Sequence, residues 1–346
     1  MKISQVSTQA MFDNLRHSMS NLQRDFTDAQ KEVATGQVSD AGLSLGANNG
    51  RRFNMMNDIN RLQVISDTNN RTQGRLEMSI STTGSINEAA QTLFSTLTAS
   101  VGGTSTSHLT QAAGESAIKA ITGLMNTSLN GEYIFGGINS GEAPINDYEN
   151  GGPKAAIDAA FLGHFGFTST DAAAVSISGA AMTNFIDTVL NPLITGANWT
   201  STFSNATDET ITARIGLSES ISGSVSGNEQ GFQNAMLAAV IAAEFINDSF
   251  NAEAQSAAAQ AAIDKVGVST GQMAELQGLT GLLVNRTSEA NERISVQMDE
   301  LTLHSDKMVA VDPYEAATRL NSLITQIETS YTLTGRIQQL SLMRYI

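Results

Sequence analysis

The chain has 346 residues, 41% hydrophobic but only 5% aromatic, with a single Trp, four Pro and no Cys. Its formal net charge of -15, from 19 basic and 34 acidic residues, repels a phosphate backbone and an anionic lipid surface, so neither nucleic acid nor membrane is expected as a partner. The missing Cys removes disulfide and thiolate chemistry, and the shortage of rings, which normally fill a thick globular core, favours long helices packed along seams.

The opening MKISQVSTQAMFDNLRHSM lacks the continuous apolar core of a cleaved signal peptide, and no stretch approaches the roughly 18 apolar residues of a membrane span. Phe12, Leu15, Met19, Leu22, Phe26, Ala29 and Val33 follow at spacings of 3, 4, 3, 4, 3 and 4, the a/d rhythm of a coiled-coil seam. A rod of about 33 Å with so narrow an apolar face is not stable alone in water. It needs a partner from this chain or from another copy.

Gly36 breaks the pattern, and AGLSLGANNG (41–50) reads as a connector. A long helix is expected over 54–97, with Met55, Ile59, Leu62, Leu76, Ile80, Ile86, Ala90, Leu93 and Leu97 inward and Asn69 and Thr72 as polar register marks on the same stripe. A third helix is expected over 109–129, carrying Ala113, Ala117, Ile121 and Leu124. Residues 140–208 hold three of the four prolines, the only Trp (Trp199) and Ser/Thr/Gly-rich runs such as AAVSISGAA, with ITARI just beyond, and predict an inserted domain of several short strands.

Helix returns in the Ala-rich stretch from Phe232 to about Val266. Met273, Leu276, Leu283, Ala290, Ile294, Met298, Leu301 and Met308 then mark a long helix. In VDPYEAATRL, Asp312 suits an N-cap, Pro313 the first helical position and Glu315 the returning carboxylate of a capping box. The last helix carries Ala316, Leu320, Leu323, Ile327, Tyr331, Ile337 and Leu340 and runs to SLMRYI.

The predicted architecture is mainly α, a long helical bundle or coiled coil formed from both chain ends with an inserted β-containing domain in the middle. Its expected domains are 1–35 with 312–346, a terminal coiled coil; 36–139 with 209–311, a helical bundle; and 140–208, the β-rich insert.

Little in the sequence points to catalysis. GLSLG (42–46) matches a G-x-S-x-G nucleophile pattern, but that chemistry needs a strand-to-helix elbow, and the flanks here are helix and Gly/Asn connector. His17, His108, His164 and His304 are scattered without metal-ligand spacing. No phosphate-cradling glycine motif occurs. The expectation is a non-enzyme with no catalytic residue, cofactor or metal. Arg51, Arg52, Arg61, Arg71 and Arg75 concentrate positive charge along the second helix, either salt-bridged on a solvated face or paired with acidic surfaces of neighbouring copies. The terminal seams likewise fit an intramolecular bundle or an assembly surface.

NGEYIFGGINSGEAP (130–144) interrupts the helical pattern. Tyr133, Ile134 and Phe135, bracketed by Gly131 and Gly136-Gly137, read as an apolar plug at a domain boundary, with Gly131 releasing the chain from the third helix and the glycine pair turning it into the insert.

The layout and three stretches resemble the bacterial flagellin and hook-associated protein family over essentially the whole chain. LQRDFTDAQKEVATGQVSD looks like its N-terminal helix entering the Thr35-Gly36 turn, while NGEYIFGGINSGEAP and DPYEAATRLNSLITQIETSYTLTGRIQQLSLMRYI look like the members that join hook to filament. The chain departs from a filament flagellin in having ATGQVSDAGLSLG after the turn and LSLMRYI at the end. It departs from the commoner junction pattern too, keeping only Ser39-Asp40 after the turn.

The resemblance implies a structural protein exported through the flagellar type III channel without a cleaved signal peptide and guarded by a cytoplasmic export chaperone. It implies a homo-oligomeric ring outside the cell between hook-associated protein 1 and flagellin. Disordered terminal helices would fold as neighbours complete their seams, with Phe12, Leu15, Met19, Leu22, Phe26, Leu320, Leu323, Ile327 and Leu340 as candidate seam residues. A minor flagellin, or a cytoplasmic coiled-coil scaffold, is the alternative.

Overall fold

The computed structural model describes residues 8–342, with side chains described at residue 10 and over residues 13–336. The chain is mainly α, with long helices from both ends flanking a central region that holds two small antiparallel sheets. Helix α1 (Thr8–Thr35) is followed by α2 (Ala41–Leu45), α3 (Asn49–Val101) and α4 (Ser107–Met125), and then by the hairpin β1 (Ser128–Leu129) and β2 (Glu132–Tyr133). The middle carries α5 (Pro153–Phe165), α6 (Gly179–Phe185), a π-helical turn Ile186–Leu190, α7 (Asn191–Ile194) and α8 (Trp199–Thr202). A second hairpin, β3 (Thr212–Arg214) and β4 (Ser220–Ser222), precedes α9 (Gln230–Phe245), α10 (Ala252–Val309) and α11 (Pro313–Leu342). The chain divides into two compact units, Met1–Gln63 with Ser295–Ile346 and Val64–Ile294.

The second unit is built around α9. Every residue from Gly231 to Ala243 in this helix is buried, which the sequence permits because its sides are mostly Ala, Met, Leu, Val and Ile. A helix that is apolar all round has no solvent face to offer. Helix α4 lies against it at unusually close range: a Cβ on Gly114 would stand 2.5 Å from the Ala243 nitrogen and 2.9 Å from the Ala239 carbonyl oxygen. Polar residues of α9 find partners in α10, where Asn234 Nδ2 donates to Gln272 Oε1 at 2.9 Å and Ser269 Oγ donates to the Gly231 carbonyl at 2.7 Å.

Phe161, Phe165, Phe167, Phe185, Phe245 and Phe250 gather at the far end of α9. Phe161 stacks on Phe245 at 5.7 Å and meets Phe185 and Phe250 edge-on, the offset and T-shaped geometries that aromatic quadrupoles favour. The strands expected within 140–208 are therefore absent among the described residues, and this reading is corrected. Ile157 and Phe161 are one helical turn apart and both buried, Pro153 starts α5, and the Ser178 hydroxyl caps α6 by accepting from Ala181 N. AAVSISGAA forms a 3-10 turn at Ala172–Ser176 leading into α6. Burial of phenylalanines against α9 overrides the strand preference of the Ser/Val/Ile composition. The one extended pairing within 140–208 among the described residues is the bridge Ile145–Ser204, while the strands stand on either side, ITARI supplying β3.

Asn228 ties the end of this segment to the start of α9. Its Oδ1 accepts from Trp199 Nε1 at 3.1 Å and Ser204 Oγ at 2.7 Å, and its Nδ2 donates to the Ala206 carbonyl at 3.0 Å and Asp208 Oδ1 at 2.7 Å. The β3–β4 hairpin covers the seam of α3 and α10, where Ile215 and Ile221 pack with Leu76 and Ala290. Glu219 in its turn reaches Arg286 at 2.8 Å and Arg293 at 3.0 Å. Asn69, fully buried as a register mark should be, donates to the Ile215 carbonyl at 3.1 Å and Asn291 Oδ1 at 3.0 Å.

Burial pushes the Glu229 carboxyl above its usual range, and the charge of Asp208 pushes it further. The folded state therefore disfavours the carboxylate: the stability this group permits is complete below its ordinary pKa of 4.5 and is lost as pH rises through the raised folded value. Glu229→Gln is accordingly expected to raise the melting temperature at pH 7 by about 1–2 °C, a gain that closes as the pH falls below 4.5. Gly114→Ala is expected to destabilise the chain by about 2 kcal/mol in denaturant unfolding through overpacking, opposite in sign to the gain of about 1 kcal/mol that helix propensity alone gives.

Candidate assembly interface

The first unit pairs the two chain ends, α1 lying along α11. Leu15, Met19, Leu22 and Phe26 on α1 are half-buried, and only Ala29 at the base of the stripe is almost fully covered, at 1% exposure. On α11, Ala316 and Leu323 are buried while Leu320 and Ile327 are half-buried. Side chains of Phe12, Ile337 and Leu340 lie outside the described residues. The two helices leave between them a groove of about 540 Å³, lined by Ser18, Leu22, Ser322, Thr325, Gln326, Thr329 and Ser330. One cross-link spans their middle, Gln23 Nε2 donating to the Tyr331 hydroxyl at 3.3 Å. The pair thus brings the two predicted stripes together yet leaves most of their apolar surface half open.

The base of the pair is better closed. Gly36, at φ +71, ends α1 with its N–H on the Glu32 carbonyl, a left-handed conformation that favours Gly. The chain then runs antiparallel to the end of α10: Val38 N donates to the Val309 carbonyl and Val311 N to the Gly36 carbonyl, both at 2.9 Å. Glu32 is only 8% exposed. Its Oε1 accepts from Ser39 N at 3.2 Å and its Oε2 from Arg319 at 3.2 Å. This pair joins residues 287 positions apart in the chain, so no local pattern announced it. Spacing placed Val33 on the seam, but Val33 is 41% exposed and Glu32 faces inward. The buried side shifts by one residue because the ion pair and the turn, rather than a heptad, close this end.

Asp312 caps α11 as expected, its Oδ1 accepting from Tyr314 N at 2.8 Å. Glu315 does not complete a capping box; its carboxylate takes Arg319 at 3.3 Å. The GLSLG stretch lies in α2 and the turn after it, with Asp40 accepting from Gly42 N and Leu43 N, so no strand-to-helix elbow presents Ser44. Among the described residues, no three His, Cys, Asp or Glu side chains gather as metal ligands, and no helix is long and apolar enough to cross a membrane.

In the second unit the predicted plug directly follows the β1–β2 hairpin, Tyr133 being the last residue of β2. Ile134 and Phe135 are fully buried, and Phe135 meets Phe232 edge-on at 5.2 Å. Tyr133 is half-buried, its carbonyl accepting from Arg75, which also pairs with Glu132 at 3.1 Å. Gly131 acts differently from expectation: helix α4 has already ended at Met125, and Asn130 (φ 54) with Gly131 (φ +86) forms the two-residue turn of the β1–β2 hairpin. Gly137 meets the expectation of a turn, since its φ is +66 and a Cβ there would stand 2.4 Å from the Thr207 carbonyl oxygen.

Arg319→Met leaves the buried Glu32 carboxylate without its cation and is expected to cost about 1–2 kcal/mol, below the usual loss for a buried pair because the arginine is half exposed. Adding Glu32→Gln should recover part of that loss in thermal unfolding followed by circular dichroism; an additive double variant would show that the two do not interact.

Two family models match the chain: the bacterial flagellin N-terminal helical region over residues 6–140 and the bacterial flagellin C-terminal helical region over residues 263–346. No curated protein matches it. The matched segments hold α1 to α4 at one end and most of α10 with α11 at the other, so the paired ends described above are the parts that the models recognise. The chain belongs to the bacterial flagellin family, whose members are structural components of the flagellum.

Proposed function

We propose that this chain is the hook-filament junction protein of the flagellum, hook-associated protein 3, a non-enzymatic adaptor that forms a ring between hook-associated protein 1 and the flagellin filament. The observation that carries this reading is the 130–144 stretch. NGEYIFGGINSGEAP resembles the junction members, and the reading of this stretch as an apolar plug is supported by the full burial of Ile134 and Phe135 and by the contact of Phe135 with Phe232. The half-covered seam of Leu15, Met19, Leu22, Phe26, Leu320 and Ile327 supports an assembly role for residues 1–35 with 312–346, because neighbouring copies would supply the burial that α1 and α11 lack alone. Export as an unfolded chain, guarded by a cytoplasmic chaperone on the last helix, fits the same economy of contact. A minor flagellin is the second reading, which the match of both terminal regions supports equally.

Deletion of the gene separates the two. Loss of a junction protein should leave hooks without filaments under the electron microscope, whereas normal filaments on those hooks would end the junction reading. Removing residues 1–34 and 312–346 is expected to leave a soluble folded fragment that does not assemble. Incorporation of that fragment into flagella would remove the seam from the assembly mechanism.

A further inference from the structure

Helix α3 begins with a face that the rest of its unit does not use. Phe53 is 64% exposed and Met56 43%. Arg51 and Arg61 are exposed, and among the described residues neither they nor Arg52 forms an ion pair; Arg52 Nε is buried without a hydrogen-bond partner. Arg75, by contrast, is consumed internally by Glu132 and the Tyr133 carbonyl. A chain with 34 acidic and 19 basic residues has more than enough carboxylates to pair these cations, so their solitude asks for a partner outside the chain.

The same unit presents the complement. A groove of about 550 Å³ beside the base of the helical pair is lined by Asp28, Glu32, Asp40, Asp312 and Glu315 against a single cation, Arg319, which Glu32 and Glu315 already share. Asp28 has no partner among the described residues. Leu43 stands at its wall, 84% exposed. An apolar lip over an acidic floor suits an apolar helix edge carrying arginines.

We infer that the Arg51–Arg52 face of α3, with Phe53 and Met56, docks into the acidic groove of a second copy of this chain. This deepens the assembly reading above and rests on it. The two surfaces differ from each other, so the contact is head-to-tail and leaves one free surface of each kind at every step, as a ring or a filament requires. The charges specify register and partner, while Leu43, Phe53 and Met56 supply apolar contact.

The natural chain has no cysteine, so an engineered pair reports without background. Full-length chain carrying Asn54→Cys and Ala310→Cys, one beside each surface, is expressed in place of the natural gene, and sheared flagella are oxidised. Dimers and higher species are expected with both cysteines and monomer with either alone; monomer from the double variant overturns the inference. Charge reversal gives the second arm. Arg51→Glu with Arg52→Glu, or Asp28→Lys with Glu315→Lys, should each lower the chain recovered in flagella by about tenfold, while all four together restore it. Circular dichroism of each purified chain must match the unaltered protein. Unchanged recovery of either reversed pair overturns the inference, and a loss that the fourfold variant does not repair assigns the groove to a different flagellar protein. The cross-linking result is independent of position along the flagellum, so it stands or falls separately from the gene-deletion test of the junction.

Discussion

The contact of α4 with α9 at Gly114 is the constraint on which the larger unit depends. Backbone meets backbone there, a Cβ being excluded at 2.5 Å from the Ala243 nitrogen. Such closeness lets an Ala-rich helix bury itself completely, since small side chains gain dispersion contacts only when their neighbours come near. With α9 fixed in the centre, its two ends become organising points. Phe232 at one end receives the plug residue Phe135, and Phe245 at the other receives Phe161 and Phe185. A chain poor in rings thereby concentrates most of its phenylalanines around one helix, and its long outer helices carry only scattered rings such as Phe26, Phe53, Phe94 and Tyr331.

The smaller unit follows the opposite logic. Its two terminal helices meet along narrow stripes, and the best-buried residues, Ala29, Val309 and Ala316, lie at the base, where the short antiparallel clasp of 36–38 with 309–311 and the Glu32–Arg319 pair close the unit. Beyond that base the seam residues Leu15, Met19, Leu22, Phe26, Leu320 and Ile327 remain half-covered, Leu323 being buried. Helices of this kind gain much of their stability from tertiary burial rather than propensity. A marginal pair of ends and a well-filled middle suit a family whose members are structural parts of a polymeric organelle, because the free energy withheld in the monomer becomes available on association.

Much of this was legible in residue spacing. The 3-4 rhythm from Leu15 to Ala29 and its counterpart from Ala316 to Ile327 identified helices with one apolar stripe, and Asp312-Pro313 announced the start of α11. Asn69 and Thr72, polar residues on an apolar stripe, are buried as register marks. The central region departs from its local composition, because Ser, Thr, Val and Ile between glycines look strand-like one residue at a time. Their actual environment is a phenylalanine cluster at helical spacing, and the decisive partner, Phe245, lies 84 positions after Phe161.

The sequence by itself determined the helical ends, the lack of cysteine and the acidic net charge. All of these depend on residue type and on spacings of a few positions, which local sterics and hydrophobic periodicity read directly. Tertiary structure alone decided that Glu32 rather than Val33 turns inward, that Gly131 sits in a hairpin instead of at a helix end, and that α9 is buried on every side. The first and last of those outcomes are set by groups far away in sequence, Arg319 and the backbone of α4, which no local pattern encodes, and the second by the pairing of β1 with β2 across the Asn130-Gly131 turn.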